Sequence, residues 1–229
     1  MSGNVAEVRA LTKSYLLGRT RVDALRGVNL TISEGEFLAI SGPSGSGKTT
    51  LLNILGCLDS PSSGEYILDG VQVRIADFDS MAAFRNEKLG FIFQNFNLIP
   101  VLNVYENIEF PMLMRASAFG SPNDRRERIV ALAERVGLGG HLNHRPVELS
   151  GGQRQRVAVA RALATRPRFV LADEPTANLD TETASSLLEL MEELNRDEGV
   201  TFVFSTHDAR ILERAHRNVH LVDGRVAKV

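Results

Sequence analysis

The stretch Gly42-Pro43-Ser44-Gly45-Ser46-Gly47-Lys48-Thr49-Thr50 decides the fold of this chain. It contains the full pattern G-x-x-x-x-G-K-[ST], in which the glycines let successive backbone N–H groups curl around phosphate oxygens. Lys48 adds a mobile positive charge for the β- and γ-phosphates, and the Thr49 hydroxyl suits Mg²⁺ as a ligand. A glycine-rich turn that binds nothing would leave the lysine and threonine at this spacing unexplained. The pattern therefore predicts a binding site for a nucleoside triphosphate.

The residues on either side of this loop support the same interpretation. Residues 37–40 form an apolar run typical of a buried strand, and residues 49–58 have leucine and isoleucine at helical spacing. Strand, glycine loop and helix is the arrangement in which the positive end of a helix dipole faces a bound phosphate. We expect a nucleotide-binding α/β core.

Composition excludes several other classes of protein. The chain has 229 residues and a formal net charge of −2, so its composition lacks the excess of positive charge that is typical of nucleic-acid-binding proteins. Its single cysteine, Cys57, rules out an internal disulfide and lies in the predicted helix after the glycine loop, where we expect a packed core thiol. Residues 1–7 lack the basic start and apolar run of a signal peptide. No apolar stretch approaches the ~18–20 residues needed to span a bilayer, so we expect any membrane association to depend on another chain.

An antiparallel β-lobe is predicted beside the core. Residues 5–12 and 22–32 are strand-like, and Tyr15 is expected in a loop between them. Asp69-Gly70 and Asp223-Gly224 each separate two β-prone runs, which is a strong hairpin signal. We expect both hairpins to contribute to this lobe.

A helical lobe is predicted to interrupt the core at residues 95–165. A short helix over residues 79–88 and a strand over residues 90–94 precede it. Pro100 and Pro111 should prevent a long helix in the apolar segment that follows. Ser121 and Pro122 then open a helix that Gly137 ends. The last helix is expected from residue 149 to about residue 166.

Two more buried strands, at residues 168–175 and 200–206, flank an amphipathic helix over residues 183–195. The first ends in Asp173 and Glu174, at the edge where an α/β sheet presents its active site. Asp173 is positioned to hold Mg²⁺, and Glu174 to act as general base for a water that attacks the γ-phosphate. The competing interpretation is two solvated acids in a loop, but the apolar run before them favours the site.

A second phosphate cradle is predicted at Ser150-Gly151-Gly152-Gln153. Ser150 can cap a helix, while the two glycines leave backbone N–H groups open to an anion. Taken alone, this signal is weak, as are those of Gln94, His207 and Tyr15.

Taken together, these motifs make the chain resemble the ATP-binding-cassette (ABC) ATPases over essentially its whole length. The matching segments are the phosphate loop, Gln94, the signature Leu149-Ser150-Gly151-Gly152-Gln153, Asp173-Glu174, the D-loop Ala177-Asn178-Leu179-Asp180, His207 and Tyr15. The fold implied is a P-loop NTPase core of residues 1–94 and 166–229. It has a mostly parallel sheet, an antiparallel β-lobe and an inserted α-helical subdomain of residues 95–165, all within a single domain.

The resemblance also implies roles for these residues. ATP would bind the phosphate loop with Tyr15 stacked on adenine, and Thr49, Gln94 and Asp173 would hold Mg²⁺. The catalytic set would be Lys48, Gln94, Glu174 and His207. Two copies would form a head-to-tail dimer, with each ATP held between one phosphate loop and the partner's signature, Ser150 to Gln153, and with Asp180 in the D-loop.

Within this family the chain looks like the branch of the lipoprotein-releasing (LolD), macrolide-efflux (MacB) and cell-division (FtsE) ATPases. That implies a peripheral subunit on the cytoplasmic side of the cell membrane, held there by an integral membrane permease. Three alternatives to this function stay open: a signalling ATPase that moves no substrate, a soluble ABC ATPase acting on DNA or ribosomes, and a phosphate-loop kinase. We further expect part of residues 96–114 to form an apolar cleft for a permease helix, testable at Leu98 or Leu102.

Overall fold

A six-stranded sheet lies at the centre of the fold. The computed structural model describes residues 3–18, 20–73 and 78–227. Met1 and Ser2, which belong to the stretch scanned for a signal peptide, lie outside the described residues.

The strands are β1 (Asn4–Leu17), β2 (Thr20–Ser33), β3 (Phe37–Ser41), β4 (Ser63–Leu68), β5 (Val71–Gln72), β6 (Leu89–Ile92), β7 (Phe169–Asp173), β8 (Phe202–Ser205), β9 (Arg217–Val222) and β10 (Arg225–Val226). The helices are α1 (Lys48–Leu55), α2 (Phe78–Lys88), α3 (Val104–Leu113), α4 (Pro122–Arg135), α5 (Gly151–Leu163), α6 (Thr181–Glu198) and α7 (Ala209–Arg214).

The central sheet has the order β10-β9-β3-β8-β7-β6, and its five strands from β9 to β6 are parallel. Strand β3 is buried along its whole length because both faces of the sheet are covered. Phe37 and Ala39 pack with α5 and α6 on one face, while Leu38 and Ile40 pack with α1 and the β-lobe on the other. The predicted α/β fold with a mostly parallel sheet is confirmed.

The β-lobe is a four-stranded antiparallel sheet of order β2-β1-β4-β5. Its Asp69-Gly70 hairpin forms as predicted. The expectation of a loop at Tyr15 was wrong, because Tyr15 lies within β1 and pairs with Val22. An antiparallel sheet with one solvated face accepts polar side chains within a strand, so the strand can continue through Tyr15.

The C-terminal hairpin also forms, but it belongs to the central sheet and not to the β-lobe. Its first strand, β9, pairs in parallel with β3. An Asp-Gly turn specifies only the local reversal of the chain, so it could not reveal which sheet the hairpin joins.

Helices α3, α4 and α5 lie between β6 and β7. Capping boxes open α3 at Asn103 and α4 at Ser121, the latter as predicted for the Ser-Pro pair. Pro111, which with Pro100 was expected to prevent a long helix, lies inside the last turn of the ten-residue α3, where its missing N–H costs only one bond near the helix end. Helix α5 ends at Leu163, three residues before the predicted end. The subdomain boundaries at residues 95 and 165 stay a prediction.

Among the described residues, no helix is both long and apolar enough to cross a membrane.

Candidate nucleotide-binding site

The phosphate loop connects the end of β3 to the start of α1, and its glycines are fixed by close neighbours. Gly42 and Gly47 have φ values of 143° and 102°. A Cβ at Gly42 would lie 2.0 Å from the Leu221 carbonyl oxygen, and one at Gly47 would lie 2.5 Å from that of Ala24. Since real Cβ atoms do not approach backbone so closely, only glycine fits at either position.

The side chains of Lys48 and Ser46 differ in their surroundings. The Lys48 ammonium donates to the carbonyl oxygens of Gly42 at 2.8 Å and Pro43 at 3.0 Å, so it lies over the cradle of its own loop. Ser46 is 3% exposed, and its hydroxyl makes no hydrogen bond within the described part of the chain. Ser46, although predicted as a site residue, is therefore buried in the protein and does not line the cavity beside the loop.

A cavity of about 740 Å³ opens beside this loop, within the usual size range of small-molecule sites. It brings together most of the predicted site residues: Gly42, Pro43, Ser44, Gly45, Gly47, Lys48, Thr49, Thr50, Gln94, Asp173, Glu174 and His207. Four further residues line it that no sequence pattern indicated: Val22, Asp23, Ala24 and Ser205. Three of these come from the start of β2, and the sequence carried no signal that the β-lobe would reach the loop.

Glu174 is the first residue after β7 and has a strained left-handed backbone, with φ of 45°. Its carboxylate is held at both oxygens. One accepts a hydrogen bond from the Thr206 hydroxyl at 3.0 Å, and the other lies 2.7 Å from Nδ1 of His207. His207 is 78% exposed, so the imidazole is supported on the cavity side mainly by this one contact. The parallel pairing of Asp173 with Ser205 places both strand ends at one edge.

Burial raises the pKa of the Asp173 carboxyl group. The negative charge of Glu174 acts in the same direction, while the Ser205 hydroxyl and the Lys48 charge oppose the rise. A divalent cation would favour the charged form of such a group.

The donor set fits Mg²⁺. The Thr49 hydroxyl, the Gln94 amide and the Asp173 carboxylate share the cavity and supply the oxygen ligands that this cation prefers. In the part of the chain that the structure describes, no group of three or more His, Cys, Asp or Glu side chains is arranged to hold a metal. Mg²⁺ commonly relies on one or two carboxylates with substrate phosphates and waters, so the smaller donor set is sufficient.

Tyr15 does not line this cavity. Its hydroxyl donates to Asp59 at 2.7 Å, and the ammonium of Lys13 lies 4.9 Å from its ring centroid. Burial, with a smaller contribution from the Asp59 hydrogen bond, raises the pKa of the Tyr15 phenol. Its ring lines a neighbouring pocket with Thr12 and Ser14, so stacking on a base stays a prediction.

The signature Ser150 to Gln153 also lies outside the cavity, at the start of α5. Ser150 caps the helix through a capping box with Gln153, which leaves the backbone N–H groups of Gly151 and Gly152 without helical acceptors. Gly152 has a second reason to be glycine, since its Cβ would lie 2.2 Å from the methyl group of Thr183 in α6. Asp180 caps α6 and accepts two hydrogen bonds from Thr183, at 2.9 Å and 2.6 Å.

A parallel sheet with a glycine-rich phosphate loop after one strand and an acidic pair after another defines the class of P-loop nucleoside triphosphatases. Comparison with known proteins narrows this class. The sequence model of the ABC transporter family matches residues 25–177.

Similar proteins carry consistent names. The chain is 48% identical over 221 residues to the macrolide export ATP-binding/permease protein MacB of Syntrophobacter fumaroxidans, covering 96% of this chain and 31% of that protein. It is 47% identical over 220 residues to the lipoprotein-releasing system ATP-binding protein LolD of Anaeromyxobacter dehalogenans, covering 96% and 91%. The chain thus spans about a third of the MacB relative and most of the LolD relative.

Solved structures agree with this assignment. The ATP-binding cassette MJ0796 of Methanocaldococcus jannaschii, as a dimer in a post-hydrolysis state bound to ADP and Pi, is 43% identical with a TM-score of 0.88. The match covers 97% of each chain. The chain therefore belongs to the ABC transporter family, and within it is an ATPase cassette.

Proposed function

We propose that this chain is the ATP-hydrolysing subunit of a transporter complex of the lipoprotein-release or macrolide-efflux type, in which ATP-driven dimerisation powers a membrane permease. One observation carries the proposal: a single cavity collects the phosphate loop, the acidic pair and the polar residues Gln94 and His207 from four separate segments of the chain.

Substrate binding follows from the phosphate loop. The Lys48 ammonium would exchange its two loop carbonyls for β- and γ-phosphate oxygens, since these carry full negative charge. The N–H groups at the start of α1 would complete the cradle. Thr49, Gln94 and Asp173 would hold Mg²⁺, which neutralises charge on the phosphates when it is bound.

Hydrolysis requires a base beside the γ-phosphate, and Glu174 fits this role. Its carboxylate would accept the proton of a water as the water oxygen attacks phosphorus and the bond to the β-phosphate oxygen breaks. Thr206 and His207 fix the orientation of that carboxylate. His207 can shift between Glu174 and a phosphate oxygen because its ring is exposed.

The signature requires a second copy of the chain. Ser150 and the free N–H groups of α5 form an anion-binding helix start that does not line the cavity of its own chain. A head-to-tail homodimer would place it against the γ-phosphate of the partner's site, where it would stabilise transition-state charge. The dimeric MJ0796 structures support this arrangement.

We expect a permease to bind at an apolar cleft of about 400 Å³. The cleft lies between α2, α3 and the residues that flank Gln94. Ile99, Phe110 and Met114 line it, and the last two are 47% and 59% exposed. Exposed aromatic and methionine side chains suit a groove that receives an amphipathic helix. Such a contact would hold this subunit at the cytoplasmic face of the membrane.

The substitution Glu174→Gln tests the catalytic assignment, since it keeps the shape of the site and removes the base. We expect steady-state hydrolysis to fall by ~10² to 10⁴, the usual contribution of a positioned base, while ATP still binds. Glu213→Gln, on the exposed side of α7, is the matched control and should retain wild-type activity. Hydrolysis by Glu174→Gln above about a tenth of the wild-type rate would remove Glu174 from this role.

A further inference from the structure

The loop that carries Gln94, residues 93–97, has an unfavourable backbone conformation. Phe96 and Asn97 follow one another with φ values of 61° and 47°, although neither is glycine. Two consecutive left-handed residues with side chains persist only where the surrounding structure holds them.

Arg161, in the last turns of α5, holds the strained end. Its guanidinium donates to the Phe96 carbonyl oxygen at 2.9 Å and to that of Asn97 through a second nitrogen. Burial lowers the pKa of Arg161, and within the described residues its side chain forms no ion pair with a carboxylate. Burying an arginine without an opposite charge is costly in free energy. The hydrogen bonds to the two carbonyl oxygens offset this cost and therefore account for the position of the side chain.

Asn178, in the D-loop, holds the other end. Its amide nitrogen donates to the Gln94 carbonyl oxygen at 3.0 Å and to the Asn95 side chain at 3.1 Å. Asn178 is exposed and caps no helix, so its observed contacts are directed to this loop. The backbone from the Gln94 carbonyl to the Asn97 carbonyl is thereby fixed from elements distant in sequence.

We propose that Arg161 and Asn178 are positioning residues that act through Gln94. They clamp the backbone of residues 94–97 so that the Gln94 amide stays in the cavity that Asp173 also lines. The clamp also ties this loop to the helix that begins with the signature and to the D-loop. The inference rests on the proposed ATPase mechanism, because it assigns these residues to the same site.

A double-mutant cycle tests this on the purified full chain with Mg-ATP. Arg161→Met should lower kcat by ~10 to 100-fold, as loss of supporting residues around a metal ligand commonly does, with KM changed by less than about threefold. Arg161→Lys should recover part of the loss because an ammonium can still donate to the carbonyls. In a chain that already carries Gln94→Ala, adding Arg161→Met or Asn178→Ala should lower kcat by less than about twofold relative to Gln94→Ala alone.

Arg128→Met is the matched control. Arg128 is also half-buried and also donates to two backbone carbonyls, those of Leu163 and Ala164, at 2.8 Å each. It should change the unfolding temperature and leave kcat within about twofold of the wild type.

The outcomes separate the alternatives. Multiplicative losses in the Gln94→Ala background would overturn the proposal, because the two residues would then act independently of Gln94. Equal kcat losses in Arg161→Met and Arg128→Met would also overturn it, as general destabilisation. If Arg161→Met does not fold, the cycles with Arg161→Lys and with the exposed Asn178→Ala decide. An inactive wild type, or an active Glu174→Gln, would count against the proposed function and not against the clamp.

Discussion

Single residues in this site are fixed by contacts with distant backbone as much as by chemistry. No residue other than glycine fits at positions 42 and 47, because carbonyl groups of β9 and β2 lie too close for a Cβ atom. Glu174 has a left-handed backbone directly after β7, and the Thr206 hydroxyl donates a hydrogen bond to its carboxylate. Such strain is typical of functional positions because the surrounding fold must stabilise it.

Cys57 provides a test at this scale that is independent of activity. Its side chain is fully buried, and burial raises the pKa of the thiol to about 12. The folded chain should therefore resist thiol reagents at about pH 8, where a free thiol near pKa 8.5 is partly ionised. Spectrophotometric titration with and without guanidinium chloride measures this, and rapid labelling of the native chain would contradict it.

The same thiol has a defined effect on the pH dependence of stability. Its folded pKa lies above its unfolded value, so below about pH 8.5 both states are protonated and no dependence arises. Between that pH and about pH 12 only the unfolded thiol ionises, which lowers the free energy of unfolding as pH rises. Cys57→Ser should remove this contribution.

At the scale of elements, α3 shows how one helix serves two surfaces. Val104, Ile108 and Met112 face the core and are fully buried, while Phe110, and Met114 directly after the helix, face the cleft. Leu98 and Leu102, which the sequence marked as test positions, are half-buried and do not line the cleft. A charge at either would disturb packing before it tested a partner.

Phe110→Glu is the better test of the cleft. A carboxylate there should prevent docking of an apolar helix, because burying an unpaired charge is strongly unfavourable. We expect the permease to be lost from affinity-purified membrane extracts while basal ATP hydrolysis persists. Val71→Glu, at a similarly exposed valine of the β-lobe, is the control and should retain the permease. Undiminished co-purification with Phe110→Glu would exclude this surface.

At the scale of the whole molecule, the signature and the phosphate loop of one chain lie at separate places. The proposed homodimer predicts complementation between two defective chains. Ser150→Arg damages the signature and Lys48→Ala the phosphate loop, so a homodimer of either variant has two damaged sites. A mixed dimer has one intact composite site, and ATPase activity should partly recover on mixing, provided that one site can turn over.

The measurement is ATP hydrolysis by the mixture compared with each variant alone, with the oligomeric state followed by light scattering. Lys48→Ala mixed with itself at doubled concentration controls for simple concentration effects. Hydrolysis by a strictly monomeric wild-type species would contradict the composite site.

The sequence by itself determined the local chemistry. The phosphate loop, the Asp-Gly hairpins, the Ser-Pro helix start and the acidic pair are each specified by neighbouring residues, so they could be predicted from short patterns. The family resemblance also followed from these motifs and was confirmed by comparison.

The tertiary structure decided what depends on residues far apart in the chain. Only the fold shows that β9 joins the central sheet, that Tyr15 continues a strand, and that the start of β2 lines the nucleotide cavity. The same is true of Arg161 and Asn178, which reach the Gln94 loop from 64 and 84 residues away. Sheet partners and side-chain clamps are set by packing between elements, and no local pattern in the sequence encodes that packing.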